Sequence, residues 1–252
     1  MLIKFFKPKK PIIFVGARMA LDMIKNVAED CNYKVIGVLD KYYYNNTESI
    51  KGIPVIGSED WLLDQNNKTA QHWLSKYNFA LTSWWDGRQF LNHSGLDSEI
   101  LRQERAAILE KSAAMCPAII HPSVKFRGRK EKVQIGRGTI IESDCTFGPN
   151  ISIGNYCYLD WGVSMYTNVH LKNNIIVGAK ANLGEVTIDD NCRIGVASLT
   201  APIGIKQNDH LYVGKNSVVW MGCHSYKNIP DDHVWTKGDK ILARFPKNNN
   251  EV

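Results

Sequence analysis

The chain has 252 residues, 44% of them hydrophobic, enough to bury one large core or two modest ones. Lys and Arg outnumber Asp and Glu 31 to 25, but the excess sits partly in Lys4, Lys7, Lys9 and Lys10 and is otherwise dispersed, so no nucleic-acid face is expected. The first ten residues lack the apolar stretch of a signal peptide, and no run long enough for a membrane span exists; a soluble, cytoplasmic protein without membrane insertion is expected.

In chain order, residues 11–16 read as a buried strand, 19–29 as a helix and 34–39 as a second strand ending at Asp40. This is a small βαβ unit, the start of a Rossmann-like α/β domain. Trp84 and Trp85 follow at another strand end, where they either stack on a base or sugar or pack under a loop. Residues 97–115 predict an amphipathic structural helix with Ile100, Leu101, Ala107, Ile108 and Ala114 facing the core.

Beyond residue 120 the pattern changes. Stepping by six from Ile135 meets Ile141, Phe147, Ile153, Leu159, Met165, Leu171, Val177 and Leu183, all apolar. The following position is turn-friendly, as in Gly136, Gly148, Gly154 and Gly178, and the fifth is small or β-branched, as in Cys145, Cys157 and Val169. The register slips by one residue before Ile188 and Ile194, and residues 201–209 interrupt it before Val213-Gly214-Lys215. A six-residue period fits short parallel strands joined by tight corners, three to a coil, with glycine relieving each corner. Residues 18 apart are then vertical neighbours. The cysteines Cys31, Cys116, Cys145, Cys157, Cys192 and Cys223 show no zinc spacing and read as free buried thiols, three of them at the small inward position, with no metal expected.

The repeat resembles that of the hexapeptide-repeat acyltransferases, and the ending Lys227-Asn228-Ile229-Pro230 resembles that family's closing segment, although Gly238-Asp239-Lys240-Ile241 lacks its Pro-Ala pair. Together with 50–57 and Val38-Leu39-Asp40, the chain is similar to sugar O/N-acetyltransferases of the sialic-acid and bacillosamine type, with His121-Pro122-Ser123 at the usual junction. The resemblance implies a Rossmann-like nucleotide-sugar domain over 1–120 and a left-handed β-helix over 121–252. It also implies a homotrimer with acetyl-CoA in the groove between two subunits.

The same resemblance places the site and shows where this chain departs from it. The family's glycine-rich phosphate turn is here Gly16-Ala17-Arg18-Met19-Ala20. One glycine remains, and Arg18 is either a phosphate contact or a solvated loop charge. Asp40, at the carboxyl end of its strand, either contacts a nucleotide base or ribose or caps a turn. The family's catalytic His and its acidic neighbour fall on Thr167 and Asn168, neither of which titrates near neutrality. Counting 18 residues on, Glu185 lies one coil above Thr167 and is either a replacement base, its pKa raised by partial desolvation, or a solvated corner residue. His170 points outward three residues past the expected site, while His210 and His224 fall in loops. Carry-over puts acetyl-CoA contacts at Ile176, Gly195, Val196, Gly214 and Lys215, with Lys227, Lys237 and Lys240 near its phosphates.

The leading expectation is an acetyl-CoA-dependent N-acetyltransferase acting on a nucleotide-linked amino sugar in surface polysaccharide or glycan synthesis, such as O-antigen lipopolysaccharide. An amine can be captured neutral and the departing thiolate can take its proton, so losing the His favours N- over O-acetylation. The alternatives are a sugar O-acetyltransferase and a non-catalytic trimeric scaffold. A metal enzyme of the γ-carbonic-anhydrase kind would need three converging His, and only His170 lies in the regular coils.

Overall fold

The computed structural model describes residues 9–17, 21–82, 94–128, 132–202 and 210–244, without the side chains of 94–98. The chain forms two compact units, Met1–Ile119 and Ile120–Val252. Arg18, Trp84 and Trp85 lie outside the described residues. Among the described residues no helix is long and apolar enough to cross a membrane.

The first unit is an α/β sheet. Strands β1 (Lys10–Val15), β2 (Tyr33–Leu39), β3 (Ser49–Ile50), β4 (Ile53–Gly57) and β5 (Asn78–Leu81) lie in the order β3-β4-β2-β1-β5. Strand β1 pairs in parallel with both β2 and β5, and Ile12 through Val15 are wholly buried, as a central strand covered on both faces must be. Helix α1 (Leu21–Asp30) buries Leu21, Ile24, Val27 and Ala28, the three-to-four spacing of an amphipathic helix. Helix α2 (Lys68–Lys76) is capped by Asn67, whose side chain accepts from the Ala70 N–H at 3.0 Å.

Helix α3 (Ser94–Lys111) departs from the sequence reading. Ile100 is 44% exposed and Ala107 is also on the surface, whereas Leu101, Arg102, Arg105, Ile108 and Leu109 are buried. The helix is rotated about its axis because Arg105 turns inward to two buried carboxylates, carrying the 101–105–108–109 stripe with it. It ends earlier than residue 115, where Ala113 takes a left-handed φ of 54°.

The second unit is a parallel β-helix with three faces. One face runs from Ile140–Ile141 through Tyr158–Leu159, Ile176–Val177, Arg193–Ile194 and Val218–Val219 to His233–Thr236, and Lys240–Ala243 closes it antiparallel. A second runs from Lys125–Phe126 to His224–Ser225. The third, which carries the candidate site, stacks Gln134–Ile135, Ile151–Ile153, Val169–Leu171, Val186–Ile188 and Leu211–Val213. The hexad residues Ile141 through Leu183, then Ile188 and Ile194, all point inward and form one continuous apolar core with the small residues Cys145, Cys157, Val169, Ala181 and Cys192. Burial pushes the Cys145 and Cys192 thiols up to about 12, so these sulfurs pack as neutral groups.

The corners work differently from the sequence expectation. The left-handed residue of a full corner is the fourth of its hexad, as at Asp144 (φ 59°), Asn150 (58°), Asn168 (50°) and Asn174 (55°), and Glu185 (46°) takes the same place as the third residue of the shortened repeat that begins at Leu183. Asn and Asp tolerate this conformation because their short side chains hydrogen-bond locally. The second-position glycines serve a different need: a Cβ on Gly148 would sit 1.5 Å from the Tyr166 carbonyl oxygen of the next coil. Close approach between coils, not corner geometry, requires glycine there.

Gly148→Ala is therefore expected to destabilise the β-helix by about 3 kcal/mol, the upper end of ordinary overpacking. Gly52→Ala, where φ is 73° but nothing lies within 4 Å of the added Cβ, should cost about 1 kcal/mol. Urea unfolding of both variants compares the two.

Candidate functional site

Each strand of the third face is preceded by its corner residue, and these residues stack into a polar ladder. Ile151 pairs with Val169, Val169 with Val186 and Val186 with Leu211, so Asn150, Asn168, Glu185 and His210 lie in one vertical row. Asn150 Nδ2 donates to Asn168 Oδ1. Asn168 Nδ2 in turn donates to both Glu185 carboxylate oxygens, at 3.0 and 2.9 Å. Glu185 Oε2 lies 3.9 Å from His210 Nδ1.

Beside the ladder runs the outward row of the same strands: Ser152, His170, Thr187 and Tyr212. His170 Nδ1 meets Ser152 Oγ at 2.9 Å, and His210 Nε2 meets Thr187 Oγ1 at 2.8 Å. The two imidazole centroids are 6.0 Å apart with planes tilted by 40°. Among the described residues His170 Nε2 has no hydrogen-bond partner. Burial holds His170 below the ordinary histidine range, the charges of His210 and Lys172 lower it further, and Glu185 opposes them. A lowered pKa leaves this imidazole neutral, and so basic, at pH 7.

Two sequence expectations change here. Glu185 stacks on Asn168, 17 residues away, rather than on Thr167, because the deleted residue of the register slip falls between Leu183 and Val186. Thr167 contributes its carbonyl to the Glu185 N–H at 2.9 Å. His210, read as a loop residue, belongs to the ladder: the excursion before it lengthens the coil so that partners across it are 25 residues apart. Matching Leu211-Tyr212-Val213 to Val169-His170-Leu171 as strands would have placed it, where counting residues did not. His224 lies on the second face, its Nε2 3.2 Å from the Ala201 carbonyl oxygen. Among the described residues no group of His, Cys, Asp and Glu is arranged to hold a metal.

The residues carried over for acetyl-CoA do not gather on one edge of the coil. Gly195 and Val196 follow Arg193–Ile194 at one corner, and Gly214 and Lys215 follow Leu211–Val213 at another. Val196 is exposed while Ile176 is 4% exposed. A Cβ on Gly195 or Gly214 would meet the Met221 or Asp231 backbone nitrogen of the next coil at 2.4 Å, so both glycines serve coil packing. Lys227 lies over the Tyr226 ring at 5.4 Å; Lys237 and Lys240 are both exposed at the closing hairpin.

In the first unit, Gly16 is buried with a φ of 96°, a turn that favours glycine. Asp40 is 1% exposed. Its carboxylate accepts from the Ala17 N–H at 2.8 Å, the Tyr42 N–H at 3.0 Å and Arg105 Nη2 at 2.8 Å. Arg105 also donates from Nε to Glu59 at 2.7 Å, and Glu59 accepts from the Lys41 N–H at 2.6 Å. Asp40 thus fixes the loops that follow β1 and β2, capping the turn after β2 through the Tyr42 N–H. Sequence spacing gave no sign of Arg105 or Glu59, which lie far along the chain.

No family model matches the chain. A curated relative, the 2,3,4,5-tetrahydropyridine-2,6-dicarboxylate N-succinyltransferase of Methylobacterium sp. (strain 4-46), is 29% identical over 189 residues, 67% of this chain and 57% of that protein. The chain therefore spans little more than half the length of that relative. Among solved structures, the acetyltransferase domain of PglB from Neisseria gonorrhoeae FA1090 matches with TM-score 0.69 at 16% identity, covering 93% of this chain and 100% of that one. WeeI from Acinetobacter baumannii AYE matches with TM-score 0.66 at 15% identity, covering 93% and 100%. PerB from Caulobacter crescentus, in complex with CoA and GDP-perosamine, matches with TM-score 0.57 at 14% identity, covering 92% and 97%. The fold is that of the hexapeptide-repeat acetyltransferases: a Rossmann-like unit followed by a left-handed parallel β-helix.

Arg105→Ala leaves two buried carboxylates without their cation and should destabilise the first unit by about 3–5 kcal/mol. Thermal unfolding is expected to show an early transition in that variant, which Arg105→Lys, lacking the two-pronged geometry, only partly repairs.

Proposed function

We propose that this chain is an acetyl-CoA-dependent N-acetyltransferase acting on a nucleotide-linked amino sugar in surface polysaccharide or glycan synthesis, working as a homotrimer in the cytoplasm. The observation that carries the reading is the Asn168–Glu185–His210 ladder with His170 beside it. Its titratable groups lie beside Thr167 and Asn168, the positions to which the resemblance assigns the reaction, and that supports the reading. Complexes of neighbours with acetyl coenzyme A and with CoA plus GDP-perosamine support the two ligand classes. The N-succinyltransferase relative supports an amine as the nucleophile.

Glu185, Thr167, Asn168 and His170 form the reacting corner. Ile176, Gly195, Val196, Gly214 and Lys215 remain the proposed path of the acetyl-CoA chain, reached across a subunit boundary because one protomer sets them on separate edges. Gly16 and Arg18 receive the nucleotide phosphates, with Asp40 shaping that turn from beneath.

A second reading, a non-catalytic trimeric scaffold, draws on Asp40, whose carboxylate is already taken by Ala17, Tyr42 and Arg105 and so is not open to a nucleotide. The two separate cleanly. Acetyl-CoA mixed with a panel of amino-sugar nucleotides is expected to release free CoA with at least one of them, and light scattering should give three times the 28.5 kDa chain mass. Calorimetry showing binding of neither acetyl-CoA nor any sugar nucleotide would favour the second reading.

A further inference from the structure

We propose that His170 is the general base of this acyl transfer and that Glu185 and His210 are positioning residues that set its proton affinity, a relocation of acid–base chemistry by one strand from the corner that holds Thr167. The inference rests on the transferase reading above and names the proton acceptor that reading leaves open.

Geometry carries it. His170 stands at the centre of the outward row, on Val169–Leu171, and Ser152 Oγ holds its Nδ1 at 2.9 Å, which fixes the ring and leaves Nε2 as the unpaired nitrogen among the described residues. Glu185 is clamped through both oxygens by Asn168 and faces His210 Nδ1 at 3.9 Å. His210 is held from its other side by Thr187 Oγ1 at 2.8 Å, so neither of its ring nitrogens is open in the way His170 Nε2 is. The ionisable groups acting on His170 are few: the His210 ring 6.0 Å away and Lys172 lower its proton affinity, and Glu185 raises it, while the strands packed on either side present only the neutral Ser152 and Thr187.

The chemistry balances without a further reagent. The sugar amine, captured neutral, attacks the thioester carbonyl carbon with its lone pair, forming the C–N bond, and His170 Nε2 takes one proton from the cationic nitrogen of the resulting tetrahedral intermediate. Collapse of the tetrahedral intermediate breaks the C–S bond, and the CoA sulfur departs as thiolate. The imidazolium returns its proton to that sulfur. A base of depressed pKa suits that step, because the ring is unprotonated at neutral pH and the cationic nitrogen of the intermediate is a far stronger acid than the free ammonium.

The test is steady-state turnover with the responsive amino-sugar nucleotide, alongside NMR titration of the His170 ring and CoA binding by calorimetry. His170→Asn is expected to lower kcat by about 10²- to 10⁴-fold, the range for losing a general base, with CoA binding retained. In the NMR titration, Glu185→Gln should move the His170 pKa down and His210→Gln should move it up, and the acid limb of the kcat/KM profile should follow each shift in the same direction. Those opposite displacements separate a tuning role from a merely structural one. Turnover by His170→Asn within about threefold of the parent, or a pH profile that ignores both neighbours, overturns the assignment while leaving the transferase reading intact. A parent chain that turns over no acceptor overturns both.

Discussion

The second unit depends on coils that stack in strict register at parallel-strand spacing, about 4.8 Å. At that separation each side chain has a fixed neighbour above and below, so the coil converts sequence offset into contact. Second-position glycines such as Gly148 exist because the next coil's carbonyl leaves no room for a Cβ. The inward residues merge into one core for the same reason, and Cys145, Cys157 and Cys192 are locked there as small packing groups.

Register also decides the chemistry. One residue is missing between Leu183 and Val186, and the strand alignment absorbs it at the corner, so Glu185 rises over Asn168. The excursion before His210 is absorbed similarly, and His210 arrives over Glu185. Two irregularities that interrupt the repeat thus bring a carboxylate and an imidazole together. Burial of a neutral-preferring ring beside them is what lowers the His170 pKa.

The first unit uses a buried charge network where its second half would otherwise present apolar contacts. Asp40 and Glu59 share Arg105, and the three lock the loops after β1 and β2 to α3. Such a network contributes less to stability than its short distances suggest, because desolvation offsets much of the attraction. What it does supply is orientation: α3 is turned so that Ile100 faces solvent and Arg105 faces inward.

The sequence by itself determined the period, the inward hexad residues from Ile141 to Leu183, the outward direction of His170 and the strands and helix around Asp40, because periodicity is a local property that burial writes directly into residue order. It also marked Thr167 as an unusual residue and Glu185 as one to watch. Only the tertiary structure decided that Glu185 meets Asn168, that His210 joins the site, and that Asp40 is occupied by Arg105. Each of those depends on where a deletion, a long excursion or a distant helix settles in space, and linear spacing carries no measure of that.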